Sequence, residues 1–391
     1  MSNEKRIIIF GAGFYGKKAL EQYGRDIVDY FIDNDADKIG SQYEGKEIVS
    51  AKRAAEIVVS REYHVVIASL YAESMAAQLE ELGIKEYSFF INPVHGMYET
   101  DELVLNPYQQ NAEAITEQEW SDSKKMEFAR SEVFKAVERL HDSESLFNHV
   151  EVETINRCNG ICSFCPVNRN SDPREKAIMS EDLFKRIVGQ LEDLQYSGRF
   201  TTFSNNEPLL DDRIVEFNRY AREHLPKARI HMYTNGTLFN LELFKELVDV
   251  LDELIIDNYN QELELIKPVR EIKEYCETHS ELELNKKVTI VLRKPQEILT
   301  SRGGNAPNRK EIREYPDDRC LLPYRQMIVR STGEVSLCCN DALGEWTLGD
   351  LRTESITDVW YGTKFKKVRE ALYKGRQYCG KCKYCDTFSM G

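Results

Sequence analysis

Ten cysteines stand in the 391-residue chain, and their clustering is its strongest chemical signal. Cys158, Cys162 and Cys165 lie in Cys-Asn-Gly-Ile-Cys-Ser-Phe-Cys, a Cx3Cx2C spacing directly after a predicted strand. Thiolates suit iron–sulfur clusters, and a four-iron cluster anchored by three cysteines leaves one iron open to another ligand. An open iron is a reaction site. A zinc site or a group of buried thiols is the plainer reading of the same spacing. Toward the end of the chain stand Cys320, Cys338, Cys339, Cys379, Cys382 and Cys385, with Gx4C at Gly333–Cys338 and Cx2C at Cys382–Cys385. Four of these can close a second site, and tetrahedral zinc fits that spacing too. Cys276, in Glu-Tyr-Cys-Glu-Thr on a predicted helix, reads as a buried thiol. Arg302, in Arg-Gly-Gly-Asn between the two cysteine groups, has forked donors that suit an anionic or hydroxyl group of a substrate, and equally a solvated loop. At the front, Gly11-x-Gly13-x-x-Gly16 follows an apolar run and opens a helix, the context of a phosphate-binding turn.

These residues need elements to hold them. The run Arg6–Phe10 is a continuous apolar strand, the glycine turn follows, and a helix is predicted over Lys17–Tyr23. Further strands at Ile27–Ile32 and His64–Ser69 and a helix at Glu73–Leu82 complete a small Rossmann-like parallel unit that ends near Pro93. Asp33 closes the second strand, where a ribose-binding acid sits in dinucleotide folds, although the unit is short for a complete one. Residues 98–149 are polar and read as a helical connector. Val150–Asn156 is a strand leading into Cys158, and strand-like runs recur at Phe200–Ser204, Arg229–Thr234, Glu253–Asp257 and Val288–Leu292 with helices between them. That alternation predicts a second parallel α/β region, an open or complete barrel. The glycine-rich break Ser301–Pro307 separates it from the cysteine-rich tail. Four regions result: 1–97, 98–149, 150–305 and 306–391.

Lys plus Arg is 52 and Asp plus Glu is 66, a formal charge of −14. That balance disfavours nucleic acid as a partner. No apolar run reaches the roughly 18 residues of a membrane span, and the start of the chain lacks the pattern of a secretory signal. Clustered cysteines in a chain of this size suit metal sites in the reducing cytoplasm.

The Cx3Cx2C loop with Phe164 before its last cysteine resembles the signature of the radical S-adenosylmethionine (SAM) superfamily. The resemblance implies a partial (β/α)6 barrel whose [4Fe–4S] cluster, on Cys158, Cys162 and Cys165, binds SAM at the open iron and cleaves it to a 5′-deoxyadenosyl radical. It places Phe164 near the adenine. The family's Gly-Gly-Glu-Pro motif corresponds to Asn205-Asn206-Glu207-Pro208, both glycines being replaced. Thr234-Asn235-Gly236 and Asp257-Asn258 resemble its SAM-contacting strand ends, although such residues also make ordinary turns. The tail resembles the Twitch or shortened SPASM extension and implies one auxiliary [4Fe–4S] cluster on Cys320, Cys338, Cys382 and Cys385, with Cys339 or Cys379 able to replace a neighbour. A radical epimerase needs a hydrogen-atom donor, for which Cys276, Cys339 or Cys379 could serve. A radical dehydrogenase needs an electron acceptor instead. The family further implies a reducing partner such as flavodoxin or ferredoxin.

The front pattern Phe-Ile-Asp33-Asn-Asp-Ala-Asp-Lys-Ile-Gly40 resembles the N-terminal domain of bacterial sugar O-acyltransferases, which implies a nucleotide-sugar ligand at Gly11, Gly13 and Gly16. A packing or dimerisation unit is the alternative. Together the two resemblances imply a radical SAM enzyme that oxidises or epimerises a carbinol carbon of a carbohydrate, a nucleotide sugar above all, in surface-glycan or natural-product biosynthesis. Two other functions fit parts of the pattern: a peptide- or protein-modifying maturase, and a non-catalytic zinc-binding scaffold that senses a nucleotide.

Overall fold

The computed structural model describes residues 5–60, 63–69, 72–90, 102–110, 124–309 and 313–387. The chain divides into two compact units, residues 1–100 and 101–391. The expected boundary at 97–98 lies outside the described residues.

The front unit contains strands β1 (Arg6–Phe10), β2 (Val28–Ile32), β3 (Gln42–Tyr43), β4 (Lys46–Val49), β5 (Tyr63–Ile67) and β6 (Tyr87–Phe89), with helices α1 (Phe14–Tyr23), α2 (Ala51–Ser60) and α3 (Ala72–Glu81). Its sheet order is β3-β4-β2-β1-β5-β6, parallel except for the β3–β4 hairpin. The apolar run of β1 has a simple cause. Ile8 and Phe10 enter one apolar cluster while Ile7 and Ile9 enter another, so both faces of the strand are covered. The hairpin and α2 add to the expected elements. Gly16 is demanded by close approach, because a Cβ there would lie 1.9 Å from the Gly11 carbonyl oxygen.

The second unit carries the cysteines. Strands β8 (His149–Val152), β9 (Arg199–Thr201), β10 (Arg229–Thr234), β11 (Glu253–Tyr259) and β12 (Val288–Arg293) alternate with helices α5 (Glu181–Asp193), α6 (Ile214–His224), α7 (Leu241–Val250) and α8 (Lys267–Thr278). They pair in parallel in that order. Two edges extend the run. Within the region read as a helical connector, α4 (Lys124–His141) is indeed helical, but Val104–Leu105 forms a short strand, β7, beside β12. On the other edge, β13 (Gln326–Val329) pairs in parallel with β8, and β14 (Glu334–Ser336) and β15 (Thr347–Asp350) continue antiparallel. The tail is therefore continuous with the barrel sheet, and residues 306–391 share one compact unit with the core.

Packing follows the alternation of the strands. Val150 and Val152 join Phe184, Ile187 and Leu191 of α5 in the main apolar cluster, while the intervening Glu151 and Glu153 point to the opposite side of the sheet. Side-chain caps start the helices. Ser180 accepts from the Leu183 amide at 3.3 Å ahead of α5, and Asn240 from the Leu243 amide at 2.9 Å ahead of α7. Each such cap contributes about 1 kcal/mol. Among the described residues, no helix is long and apolar enough to cross a membrane.

Candidate active site

The loop after β8 carries the first three cysteines. Its shape is set by hydrogen bonds within the loop and to the Pro295 carbonyl. The Gly160 amide donates to Cys158 Sγ at 3.2 Å, Asn168 Nδ2 donates to the Cys165 carbonyl at 2.9 Å, and the Ser163 amide donates to the Pro295 carbonyl at 2.9 Å. Cys158, Cys162 and Cys165 are close enough for each of the first two thiols to feel its neighbours' charge, and burial pushes the Cys158 and Cys162 thiols up to about 12. Thiols so placed become thiolates only when a cation enters the pocket. Among the described residues, no group of three or more His, Cys, Asp or Glu side chains is gathered around one ion position. Three thiols on one loop can hold a cluster of several irons, each iron with its own cysteine.

Two strand ends lie beside this loop. Asn235 follows β10, and the turn depends on Gly236, whose φ of +71° and lack of a Cβ avoid Ile256 and Val269 at 2.7 Å. Asn235 Nδ2 donates to Asn159 Oδ1 at 2.7 Å, and its side chain opposes the rise of the Cys158 thiol. Asp257, in β11, lies near enough to Cys162 to act on its charge, and burial pushes its carboxyl up to about 6. Phe164 is 4% exposed, with its ring centroid 6.1 Å from that of Tyr259. Asn258 turns away and braces the chain, accepting from the Ile266 amide at 2.9 Å.

Glu207 behaves as a tie between loops. Its Oε1 accepts from Thr234 Oγ1 at 2.7 Å and from the Leu209 amide at 3.1 Å, and its Oε2 from the Asn235 amide at 2.8 Å. Burial nevertheless pushes this carboxyl up to about 7, the hydrogen bonds opposing the shift. Asn206 is similarly occupied, accepting from the Ser204 amide at 2.9 Å.

A polar ring that sequence reasoning missed joins the barrel to the tail. Ser204 Oγ donates to Glu151 Oε2 at 2.7 Å and Gln326 Nε2 to Glu151 Oε1 at 2.6 Å. The Cys339 amide donates to Gln326 Oε1 at 3.3 Å, and Asn205 Nδ2 donates to the Cys339 carbonyl at 3.1 Å and to Ser204 Oγ at 3.3 Å, which closes the circuit. Arg302 Nη1 reaches Asn205 Oδ1 at 3.3 Å and the Cys339 carbonyl at 3.5 Å. Burial pushes Glu151 up to about 7 and the Cys339 thiol up to about 12, with Arg302 opposing both. The available signal was Val-Glu-Val-Glu at 150–153, where acids alternate with core residues.

The tail cysteines meet on one side of a 3-10 turn, Gly380–Tyr384. The Cys382 amide donates to the Cys379 carbonyl at 2.9 Å and the Cys385 amide to the Cys382 carbonyl at 3.0 Å, a three-residue repeat that aligns their side chains. Cys320, Cys338 and Cys339 complete the group, each acting on the charge of Cys385, Cys382 or one another. The Cys379 and Cys382 thiols act on one another, which lowers the first and raises the second. The residues fit an iron–sulfur cluster, with two thiols beyond the four it needs.

The remaining cysteine is Cys276. It lies on α8 within the main apolar cluster, 6% exposed, and burial pushes its thiol up to about 11, the setting of a packed thiol. In the front unit, Gly11 and Gly16 shape the turn by packing, whereas Gly13 has open space around it. Asp33 Oδ2 accepts from the Ala12 amide at 3.0 Å and from Lys38 Nζ at 3.2 Å, so a donor expected to face a phosphate is already occupied.

Comparison with known proteins agrees with this geometry. Residues 152–289 match the Radical SAM superfamily and residues 320–386 the SPASM iron–sulfur cluster-binding domain. The chain is a radical SAM enzyme of the SPASM/Twitch group. Residues 3–90 of the enzyme match the C2185-like N-terminal family. It is 28% identical over 251 residues to the S-adenosyl-L-methionine-dependent 2-deoxy-scyllo-inosamine dehydrogenase of Niallia circulans, covering 63% of this chain and 96% of that protein. It is also similar to the crystal structure of BtrN in complex with AdoMet and 2-DOIA, with 25% identity and a TM-score of 0.54 over 63% of this chain and 95% of that one. This radical SAM oxidoreductase is thus related to a SAM-dependent carbohydrate dehydrogenase. Its domains imply a [4Fe–4S] cluster with SAM and an auxiliary cluster.

Proposed function

We propose that the enzyme dehydrogenates a carbinol carbon of a small carbohydrate, and that Arg302 holds the reacting hydroxyl. The observation that carries this reading is the convergence of Arg302, Asn205 and the Cys339 carbonyl within hydrogen-bonding reach of one another, on the ring that joins the barrel to the cysteine tail. Cys158, Cys162 and Cys165 would hold the first cluster, and Cys320, Cys338, Cys382 and Cys385 the auxiliary one. When bound, the first with SAM supplies a hydrogen-abstracting 5′-deoxyadenosyl radical and the second an electron acceptor. The chain's own contribution is orientation. Asn235 and Asp257 stand beside Cys158 and Cys162, where they can meet the cofactor's polar groups, and Phe164 offers a ring for its adenine. Glu207 fixes both loops by accepting three hydrogen bonds. Arg302 offers forked donors to a hydroxyl or alkoxide, and Glu151 stands ready beneath it to hold a proton on its buried carboxyl.

The front unit is read as the holder of the nucleotide part of a nucleotide sugar, with the start of α1 at Gly13 as its phosphate contact. Gly13→Asp should then weaken nucleotide-sugar binding through charge repulsion. A reducing cytoplasm and a flavodoxin- or ferredoxin-type donor suit such an enzyme.

Epimerisation is the second reading, and Cys339 favours it. Its thiol stands within reach of the charges of Glu151 and Arg302, where a hydrogen-atom donor would be needed. One anaerobic assay separates the two. Reduced, reconstituted enzyme is given SAM and a panel of aminocyclitols and nucleotide sugars, and 5′-deoxyadenosine and substrate mass are followed together. Loss of two hydrogens supports dehydrogenation, while unchanged mass with solvent deuterium uptake supports epimerisation. Intact clusters with no stimulation by any sugar would sink both and favour a peptide substrate.

A further inference from the structure

Arg376 lies just beyond α9 (Thr363–Lys374) and is 1% exposed, among the largest fully buried side chains of the protein. Its guanidinium clasps the two segments that carry tail cysteines. Nε and Nη2 donate to the Arg319 carbonyl at 3.1 and 3.0 Å, Nη2 also donates to the Thr387 carbonyl at 2.6 Å, and Nη1 donates to the Cys385 carbonyl. Its own amide donates to the Asp318 carbonyl at 2.9 Å. The fork thus joins the residue before Cys320 to Cys385 and the segment beyond it.

A guanidinium so deeply buried keeps its charge only where anions stand close. Those it faces are Cys320, Cys385, Asp318 and Cys382, in falling order of influence. Asp318 is itself 3.6 Å from Arg130. Three of these four residues are the cysteines assigned to the auxiliary cluster. Bound to iron they are thiolates, and the assembled cluster is an anion that gains a further negative charge on reduction. Net charge and the hydrogen bonds around the sulfurs are among the terms that set such a potential. A fixed cation in a low-dielectric site favours the more negative state.

We propose that Arg376 is the counter-charge of the auxiliary cluster and raises its reduction potential, making it a better acceptor for the electron that dehydrogenation releases. This rests on the auxiliary-cluster reading above. The test needs no substrate. In full-length protein carrying Cys158→Ala, Cys162→Ala and Cys165→Ala, only the auxiliary cluster can assemble, and its midpoint is read by potentiometric titration with electron paramagnetic resonance. If that protein binds no iron, the auxiliary-cluster reading itself fails. If it binds iron, Arg376→Gln should shift the one-electron equilibrium tenfold or more toward the oxidised form, about 59 mV, while Arg376→Lys stays within twofold of the parent. An Arg376→Gln protein that loses its iron while Arg376→Lys keeps it at the parent potential also supports the counter-charge. An unchanged potential in Arg376→Gln, equal shifts in both variants, or loss of iron from both overturns it, because the carbonyl clasp rather than the charge would then be what matters.

Discussion

Gly160 offers a direct test of where the first cluster sits. A Cβ added there would lie 3.2 Å from Cys158 Sγ, 3.9 Å from Cys162 Sγ and 4.0 Å from Asn235 Nδ2. Gly160 is absent from the residues with positive φ, so an alanine brings no backbone strain and its effect is steric. To relieve the shortest contact, Cys158 Sγ must retreat by a few tenths of an ångström. A free thiol can do so, but one tied to iron must keep its place or drag its χ1 from the staggered well. An off-rotamer side chain costs about 0.5–1.5 kcal/mol, which is roughly a twofold to twelvefold weaker hold on the cluster. Gly160→Ala should therefore surrender the first cluster's iron at a several-fold lower chelator concentration than wild type, read anaerobically from the charge-transfer absorbance. The larger Gly160→Val should hold only the auxiliary cluster, roughly four irons in place of about eight. Wild-type iron content and wild-type SAM cleavage in Gly160→Val would show that the cluster does not occupy this pocket.

Other expectations follow from the same contacts. Glu207 has a folded value of about 7 against an ordinary 4.5, so its contribution to stability is complete below about 4.5 and is lost as pH rises to about 7. The loss is about 3 kcal/mol at most. Urea titrations of the metal-free protein should show a fall in stability between about pH 4.5 and 7 that Glu207→Gln flattens, and parallel curves for the two proteins would refute the burial argument. Gly189, inside α5 with open space at its Cβ position, should tolerate alanine with a gain of about 1 kcal/mol in thermal unfolding, which makes it the control for Gly160. Cys276→Ala should cost about 1 kcal/mol or somewhat more through lost packing and leave 5′-deoxyadenosine formation unchanged. A substantial loss of that activity would place Cys276 in the site.

Much of the second unit was legible because each cue was local. Val150 and Val152 announce a strand, and the cysteine loop follows at its carboxyl end, where parallel α/β folds place their ligands. Asn235 and Asp257 could be placed in the same way, since each ends or follows an apolar run. The Glu151 ring could not be read, because Gln326 and Glu151 are 175 residues apart and meet only when β13 pairs with β8. Periodicity reveals that a strand exists but not which neighbour it takes. Arg376 was hidden for a similar reason. In Gly-Arg-Gln-Tyr-Cys it has the sequence of a solvated turn, and its burial arises from carbonyls at positions 319, 385 and 387.

The placement of β13 also explains why core and tail behave as one unit. Had that strand continued the barrel beyond β12, Cys338 and Cys339 would have been delivered to the far edge of the sheet from the Cys158 loop. Pairing instead with β8 carries the β13–β14 hairpin, and the cysteines that follow it, to the strand that leads into that loop. The ring of Glu151, Ser204, Asn205 and Gln326 then fixes the position of Cys339 through its amide and carbonyl. Each link is an ordinary hydrogen bond of about 1 kcal/mol, but they close a circuit whose donors and acceptors are largely buried. Opening one leaves polar groups without partners in a low-dielectric interior, at a cost greater than that of the bond itself. Distance between the two cysteine groups is therefore set by the sheet and its polar filling, and the glycine-rich segment around Arg302 is tied to the tail as well, Ser301 Oγ donating to the Tyr384 carbonyl at 2.7 Å and its amide to Asp386 Oδ1 at 2.8 Å.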